Sequence, residues 1–201
     1  LTAYTLNNVM INKKLIVTFL DVGQGDSILI EAPNKKTVLI DTGKQPFPWF
    51  SKKNSDDGKK IILPVLKYKG INSIDTIIIT HFDNDHSGGL GSIIEQIPVK
   101  TIIHNGNIKK MPQQIKNIIK EKQIKFINQN TISNIQLDND INIRFLTPLK
   151  NQSLESSNNQ SIAVKISHKE IDFLLTGDLE KEMESKLLQT YNHQLKSEIL
   201  K

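Results

Sequence analysis

"ITHFDNDHSGG", residues 79–89, follows directly from the β-branched apolar run "IDTIIIT" of residues 74–80. A continuous Ile-rich run of that length reads as a strand buried on both faces, as in a parallel sheet covered by helices. The strand then delivers His81, Asp83, Asp85 and His86 within six positions. Side chains at i, i+2, i+4 and i+5 beyond a strand end can curl round a shared centre, and mixed imidazole and carboxylate suits Zn²⁺ or Mn²⁺. His81 and Asp83 would hold one ion, Asp85 and His86 a second. The alternative is an acidic surface turn with incidental histidines, which four metal-capable groups behind a buried strand make a poor description. Gly88 and Gly89 read as the residues that turn the backbone tightly into the next helix.

Upstream, "LIVTFL" (15–20) and "SILIEA" (27–32) read as strands either side of the Gly-rich turn "DVGQGD", and "TVLIDTG" from Thr37 completes a three-stranded meander. Residues 44–60 form a long polar loop with Pro46 and Pro48 and an aromatic cluster at Phe47, Trp49 and Phe50. Such a loop is either functional or a cover over a sheet edge. "ILPVLKYKG" (62–70) has helical spacing and closes at Gly70. Downstream, residues 88–97 read as a helix, 99–106 as a strand and 112–124 as an amphipathic helix. Residues 126–148 read as short strands, 161–177 as a hairpin turning at His168 to Glu170, and 178–191 as a helix. The pattern predicts a single domain over 1–201, with its core from about residue 13, built as an α/β sandwich.

Composition narrows the chemistry. There is no Cys, which excludes disulfides, thiolate zinc clusters and a thiol nucleophile. The absence of a long apolar run and of a signal peptide predicts a piece soluble by itself. The chain starts at Leu1 rather than Met and ends at Lys201 without a closing signal, so it reads as part of a longer protein. The net charge of +5 points weakly to an anionic partner, since the positive charge is almost all Lys, with Arg144 the only Arg. "DVGQGD" lacks the Lys and Ser/Thr of a phosphate loop and sits between two strands, so no cofactor nucleotide is expected. Gly23 and Gly25 read as turn residues and Asp26 as structural. Read alone, Asp178 is a helix N-cap, Asp41 a turn cap before Thr42 and Gly43, and Asn158 and Asn159 part of a polar turn. His104 closes a strand, and His168 and His193 receive no role.

"THFDNDHSGGL" resembles the T-H-x-H-x-D-H-x-G-G signature of the metallo-β-lactamase superfamily, with Asp83 where many members have a second His. "VTFLDVGQGDSILI", "TVLIDTG", "LPVLKYKGINSIDTIIITH" and "FLLTGDLE" sharpen the likeness to the β-lactamase-like domain of the ComEC family of DNA internalization-related competence proteins, over residues 15–188. The resemblance implies a metallo-β-lactamase-like αββα sandwich of two mixed sheets. It implies two divalent metal ions, Mn²⁺ or Zn²⁺, with Asp178 bridging them, Asp85 and Asp83 catalytic, Asn158 or Asn159 as a weak ligand, and Asp41 orienting a ligand His. It further implies a nuclease acting on single-stranded DNA, attached to the rest of a membrane-spanning competence protein on the extracytoplasmic face of the membrane. Trp49 and Phe50, with Phe47, would stack on unpaired bases. The family's last ligand His, often in "HHGS", would lie beyond Lys201, so the fold is expected to lack its C-terminal end and the piece to be weakened as an enzyme. Two other readings stand beside this one: a stand-alone hydrolase of a small phosphoester, thioester or lactam, and a DNA-binding domain that has lost catalysis.

Overall fold

The computed structural model describes residues 14–46, 56–147 and 156–201. Its first sheet has six strands in chain order: β1 (Ile16–Phe19), β2 (Ile28–Glu31), β3 (Thr37–Ile40), β4 (Ile74–Ile79), β5 (Val99–His104) and β6 (Lys125–Asn128). The first three pair antiparallel, the meander read from sequence, and β3 to β6 pair in parallel. Parallel neighbours need crossover connections. These contain α1 (Leu63–Tyr68), then α2 (Asn84–Ser87) with α3 (Leu90–Gln96), then α4 (Gln113–Glu121). The second sheet runs β7 (Asn134–Asp138), β8 (Ile141–Phe145), β9 (Val164–His168), β10 (Ile171–Leu175) and β11 (Ile199–Leu200). All its pairings are antiparallel except β10 with β11. The helix α5 (Lys181–Tyr191) follows β10.

Alternation along the strands builds three apolar layers. Ile28 and Ile30 of β2, Val38 and Ile40 of β3, and Ile78 of β4 meet Ile141, Ile143, Val164 and Ile166 of the second sheet. Their neighbours Leu29, Leu39, Ile77 and Ile79 point the other way, onto Leu66, Leu90, Ile93, Ile94 and Ile119 of the helices. On the far side Leu174 packs with Met183 and Leu187 of α5. The order is therefore helix, sheet, sheet, helix, the expected αββα sandwich of two mixed sheets.

Two local expectations need correction. The loop read over 44–60 is shorter, because a π-turn at Gly58–Ile62 feeds α1. Its start is held by Asp56, whose Oδ1 accepts the Lys59 N–H at 3.0 Å while Oδ2 accepts Ser92 Oγ at 2.5 Å. Gly88 and Gly89 keep ordinary helical backbone angles, so they are not there for an unusual turn. A Cβ on Gly89 would lie 2.3 Å from Thr42 O, and one on Gly88 2.2 Å from Gln45 N. The pair lets the α2–α3 corner press onto the backbone that follows β3. Phe47, Trp49 and Phe50 lie outside the described residues. Among the described residues no helix is long and apolar enough to cross a membrane.

Candidate metal centre

Ligands in open α/β sheets gather at the carboxyl ends of the strands, and here the β3 and β4 ends meet the loop after β10. Asp41, one residue beyond β3, is fully buried and holds φ at +57°, uncommon for a non-glycine residue. Its own N–H donates to Ile78 O at 2.9 Å. The carboxylate is fully engaged: Oδ1 accepts Thr80 N–H at 2.8 Å, and Oδ2 accepts Thr80 Oγ1 at 2.6 Å and faces His86 Nδ1 at 2.7 Å. An imidazole that donates through Nδ1 turns Nε2 outward as the ligand atom. His86 Nε2 lies 3.2 Å from Asp178 Oδ2.

His81 is oriented by hydroxyls. Its Nδ1 lies 3.1 Å from Thr80 Oγ1 and 3.2 Å from Ser161 Oγ. Thr80 Oγ1 spends its proton on Asp41, so it accepts from His81 Nδ1–H, and the His81 Nε2 lone pair is left for the cleft. The two rings lie 4.2 Å apart with a 42° tilt. Among the described residues both Nε2 atoms are buried and neither makes a hydrogen bond, the 3.2 Å approach of His86 Nε2 to Asp178 Oδ2 being a charge contact only. Buried polar atoms are costly when unmatched, so this pair fits a metal ion better than a folded core. The ligand atoms of His81, His86 and Asp178 all lie within 4.8 Å of one another.

Electrostatics follow this arrangement. Burial lowers the pKa of His81, and the neighbouring His86 lowers it further, against the pull of Asp41, Asp83 and Asp178. Burial also disfavours a charged His86, but the hydrogen bond and charge of Asp41, with Asp178 and Asp26 behind it, outweigh that and raise it to about 9. A metal arriving at His86 must displace a proton, as ligation by imidazole generally requires.

The remaining sequence candidates lie around this core. Asp83 Oδ1 accepts Lys110 Nζ at 2.5 Å and Ser157 Oγ at 2.6 Å. Burial raises its pKa, but these two hydrogen bonds, the His81 imidazole and the Lys110 charge bring it below the usual value. Asp85 is half-buried in the first turn of α2. Among the described residues no hydrogen bond or ion pair engages its carboxylate. Asn159 is tied to Glu180: its Nδ2 donates to Oε2 at 3.1 Å and its Oδ1 accepts Glu180 N–H at 3.0 Å. Asn158 Nδ2 reaches Glu180 Oε1 at 3.4 Å. Asp178 is not the N-cap of α5, a position taken by Glu180. Asp26 sits closer to the centre than a plain turn residue, grouped with Asp41 and His86 and ion-paired with Lys201. Gly25 lets its turn touch α2, since a Cβ there would lie 2.0 Å from Asp85 O. Sequence reasoning missed Thr80, Ser161 and Glu180. Only Thr80 carries a signal, a hydroxyl beside a ligand His at a strand end.

Comparison with known proteins gives the family and the fold. The family described as the metallo-beta-lactamase superfamily matches residues 20–196. ComE operon protein 3 of Bacillus subtilis (strain 168) is 30% identical over 92% of this chain and 24% of its own length. Competence protein ComA of Neisseria gonorrhoeae is 26% identical over 92% of this chain and 23% of its own length. The chain thus spans about a quarter of the length of these relatives. Among solved structures, a quorum-quenching N-acyl homoserine lactone lactonase shares the fold at TM-score 0.53 and 16% identity, over 87% of this chain and 77% of that one. The superfamily protein ST1585 of Sulfolobus tokodaii does so at 0.51 and 15%, over 87% and 72%.

Proposed function

From the premise that this chain belongs to the metallo-beta-lactamase superfamily, we propose that it is a metal-dependent hydrolase of DNA phosphodiesters serving DNA uptake. The observation that carries the metal half is the convergence of His81 Nε2, His86 Nε2 and the Asp178 carboxylate within 4.8 Å, with both imidazole nitrogens buried and, among the described residues, without a hydrogen bond. The relatives named for competence support the DNA half. His81, His86 and Asp178 are the proposed ligands of a Zn²⁺ or Mn²⁺ ion, and Asp85, which lies outside that group, is the proposed ligand of a second. A bound ion supplies Lewis acidity and a water acidic enough to ionise near neutral pH.

The protein's own groups do the rest. Asp41 fixes the His86 tautomer, and Thr80 with Ser161 fixes that of His81. Asp85, whose carboxylate makes no hydrogen bond or ion pair among the described residues, is the proposed proton acceptor or ligand of a second ion. Single-stranded DNA is the proposed substrate, and the setting is the extracytoplasmic face of the membrane within a longer competence protein. Hydrolysis of end-labelled single-stranded DNA with Mn²⁺ or Zn²⁺ tests this directly. The expectation is cleavage by the wild type and a loss on the order of 10²-fold or more in Asp178→Asn. Metal uptake without cleavage of DNA would sink the nuclease assignment.

A further inference from the structure

We propose that Asp26 and Lys201 form a positioning pair that fixes the loop carrying Asp178 against the turn on which Asp85 and His86 stand, and so sets the spacing of the two ions. The inference rests on the two-ion reading above. Lys201 is seated by its backbone beside the end of β10. Its N–H donates to Leu174 O at 2.9 Å, and its carbonyl accepts Thr176 N–H at 2.8 Å and Thr176 Oγ1 at 3.2 Å. Thr176 lies two residues before Asp178. From this anchored backbone the Lys201 ammonium reaches the turn between β1 and β2 and pairs with Asp26 Oδ2.

Asp26 in turn touches the ligand segment. Its N–H donates to Asp85 O at 3.3 Å, and its carbonyl accepts Gly43 N–H at 2.9 Å. Thr42, beside Gly43, gives its N–H at 2.7 Å and its Oγ1 at 3.1 Å to His86 O. The carbonyls of Asp85 and His86 are thus both held by backbone that Asp26 ties together, and a displacement of Asp26 reaches both residues through one or two hydrogen bonds. The Asp26 side chain is only 12% exposed, and its carboxylate lies within 4.8 Å of ligand atoms of Asp41 and His86. A buried carboxylate beside a second one needs a counter-charge. Lys201 supplies it from the second sheet, through a charge-assisted contact of the strong kind. Bulk charge and positioning predict opposite signs here. An ammonium near a cation repels it, so as a mere charge Lys201 would weaken metal binding, whereas as half of a positioning pair it strengthens it.

The test is a Co²⁺ titration followed by visible absorption, with amide hydrogen exchange of the metal-free protein, on full-length wild type, Asp26→Asn, Lys201→Met, Lys201→Arg and the double variant Asp26→Asn with Lys201→Met. In Asp26→Asn and in Lys201→Met alike, the second Co²⁺ is expected to bind about tenfold more weakly, while the first keeps its affinity and band shape. The double variant is no worse than either single one, since both act through one contact. Lys201→Arg, which keeps the charge and the reach, restores most of the loss. Exchange of the metal-free variants at 22–27 and 84–88 is expected to be about tenfold faster than in wild type. Tighter Co²⁺ binding in Lys201→Met overturns the proposal, either by reducing the pair to its charges or by making Asp26 a ligand that Lys201 blocks. A lower Tm with the affinity ratio of the two ions unchanged overturns it too, by leaving the pair a structural role alone. A wild type that takes up one Co²⁺ and no second sinks the two-ion reading instead and removes the spacing role with it.

Discussion

Asp41 shows how one side chain sets the chemistry of another. Its three hydrogen bonds fix both the strand end and the His86 ring. Asp41→Asn keeps the shape but replaces an acceptor by an amide that cannot satisfy the same donors. The expected outcome is divalent-metal affinity weaker by roughly 10- to 100-fold, read by competition with a chromophoric chelator. His104 makes a separate prediction. It is buried, stacks on Phe126 at 4.1 Å, and accepts the Gly106 N–H on Nδ1 at 3.0 Å. Burial lowers its pKa from 6.5 to about 4. The unfolded chain therefore takes up this proton before the folded one does, so the His104 contribution is complete above pH 6.5 and is lost as pH falls toward 4. The slope approaches about 1.4 kcal/mol per pH unit. Urea midpoints across this window should fall less steeply in His104→Phe than in wild type, and parallel curves would refute the assignment. At this scale the sequence showed the donors but not their partners. His81, His86 and Asp41 are legible from spacing and resemblance. The hydroxyls of Thr80 and Ser161, 81 positions apart, meet only once the sheets are stacked.

Elements were legible where periodicity was strong. The Ile-rich run became β4, the hairpin turned at Lys169 and Glu170 between β9 and β10, and α5 followed "LLTGD". What failed were the places where backbone meets backbone, because neither hydropathy nor turn composition records a close approach. Glycines separate the two causes. Gly70 ends the α1 turn with φ at +71° and open space where a Cβ would go. Gly89 has an ordinary φ of −83° but no room, with Thr42 O at 2.3 Å and Gly58 N at 2.6 Å from a Cβ. Gly70→Ala should therefore cost only the left-handed penalty, about 1–2 kcal/mol. Gly89→Ala has to push two chain segments apart next to His86, and should cost more, on the order of 3 kcal/mol. It should also weaken metal binding, which Gly70→Ala leaves unchanged. Chemical denaturation and metal titration of the two variants, side by side, check both statements.

Across the molecule the layered architecture followed from the pattern of strands and helices, while the closure of the site did not. Asp178 looked like a helix cap until the resemblance assigned it to the centre, since nothing local separates the two roles. The structure explains its position: the second sheet stacks on the first through apolar faces, and that stacking carries the loop after β10 to the end of β4. His81 and His86 come from the first sheet and Asp178 from the second. A bound ion would thus add a further link between two halves already joined by apolar packing and by polar contacts such as Ser161 with His81 and Lys201 with Asp26, and its binding energy adds to the stability of the whole fold. At a free metal concentration 100 times Kd the gain is about 2.7 kcal/mol. For a chain of 201 residues this corresponds to a Tm increase of roughly 5–10 °C. Calorimetry should show that increase with Zn²⁺ or Mn²⁺ in wild type and its loss on chelation. In Asp178→Asn the metal-free Tm should move less than this, because its side chain is 37% exposed and packs little apolar surface, while most of the metal-induced shift disappears. A variant that keeps the full shift would mean that the ion sits on the first sheet alone, and Asp178 would then have no part in holding it.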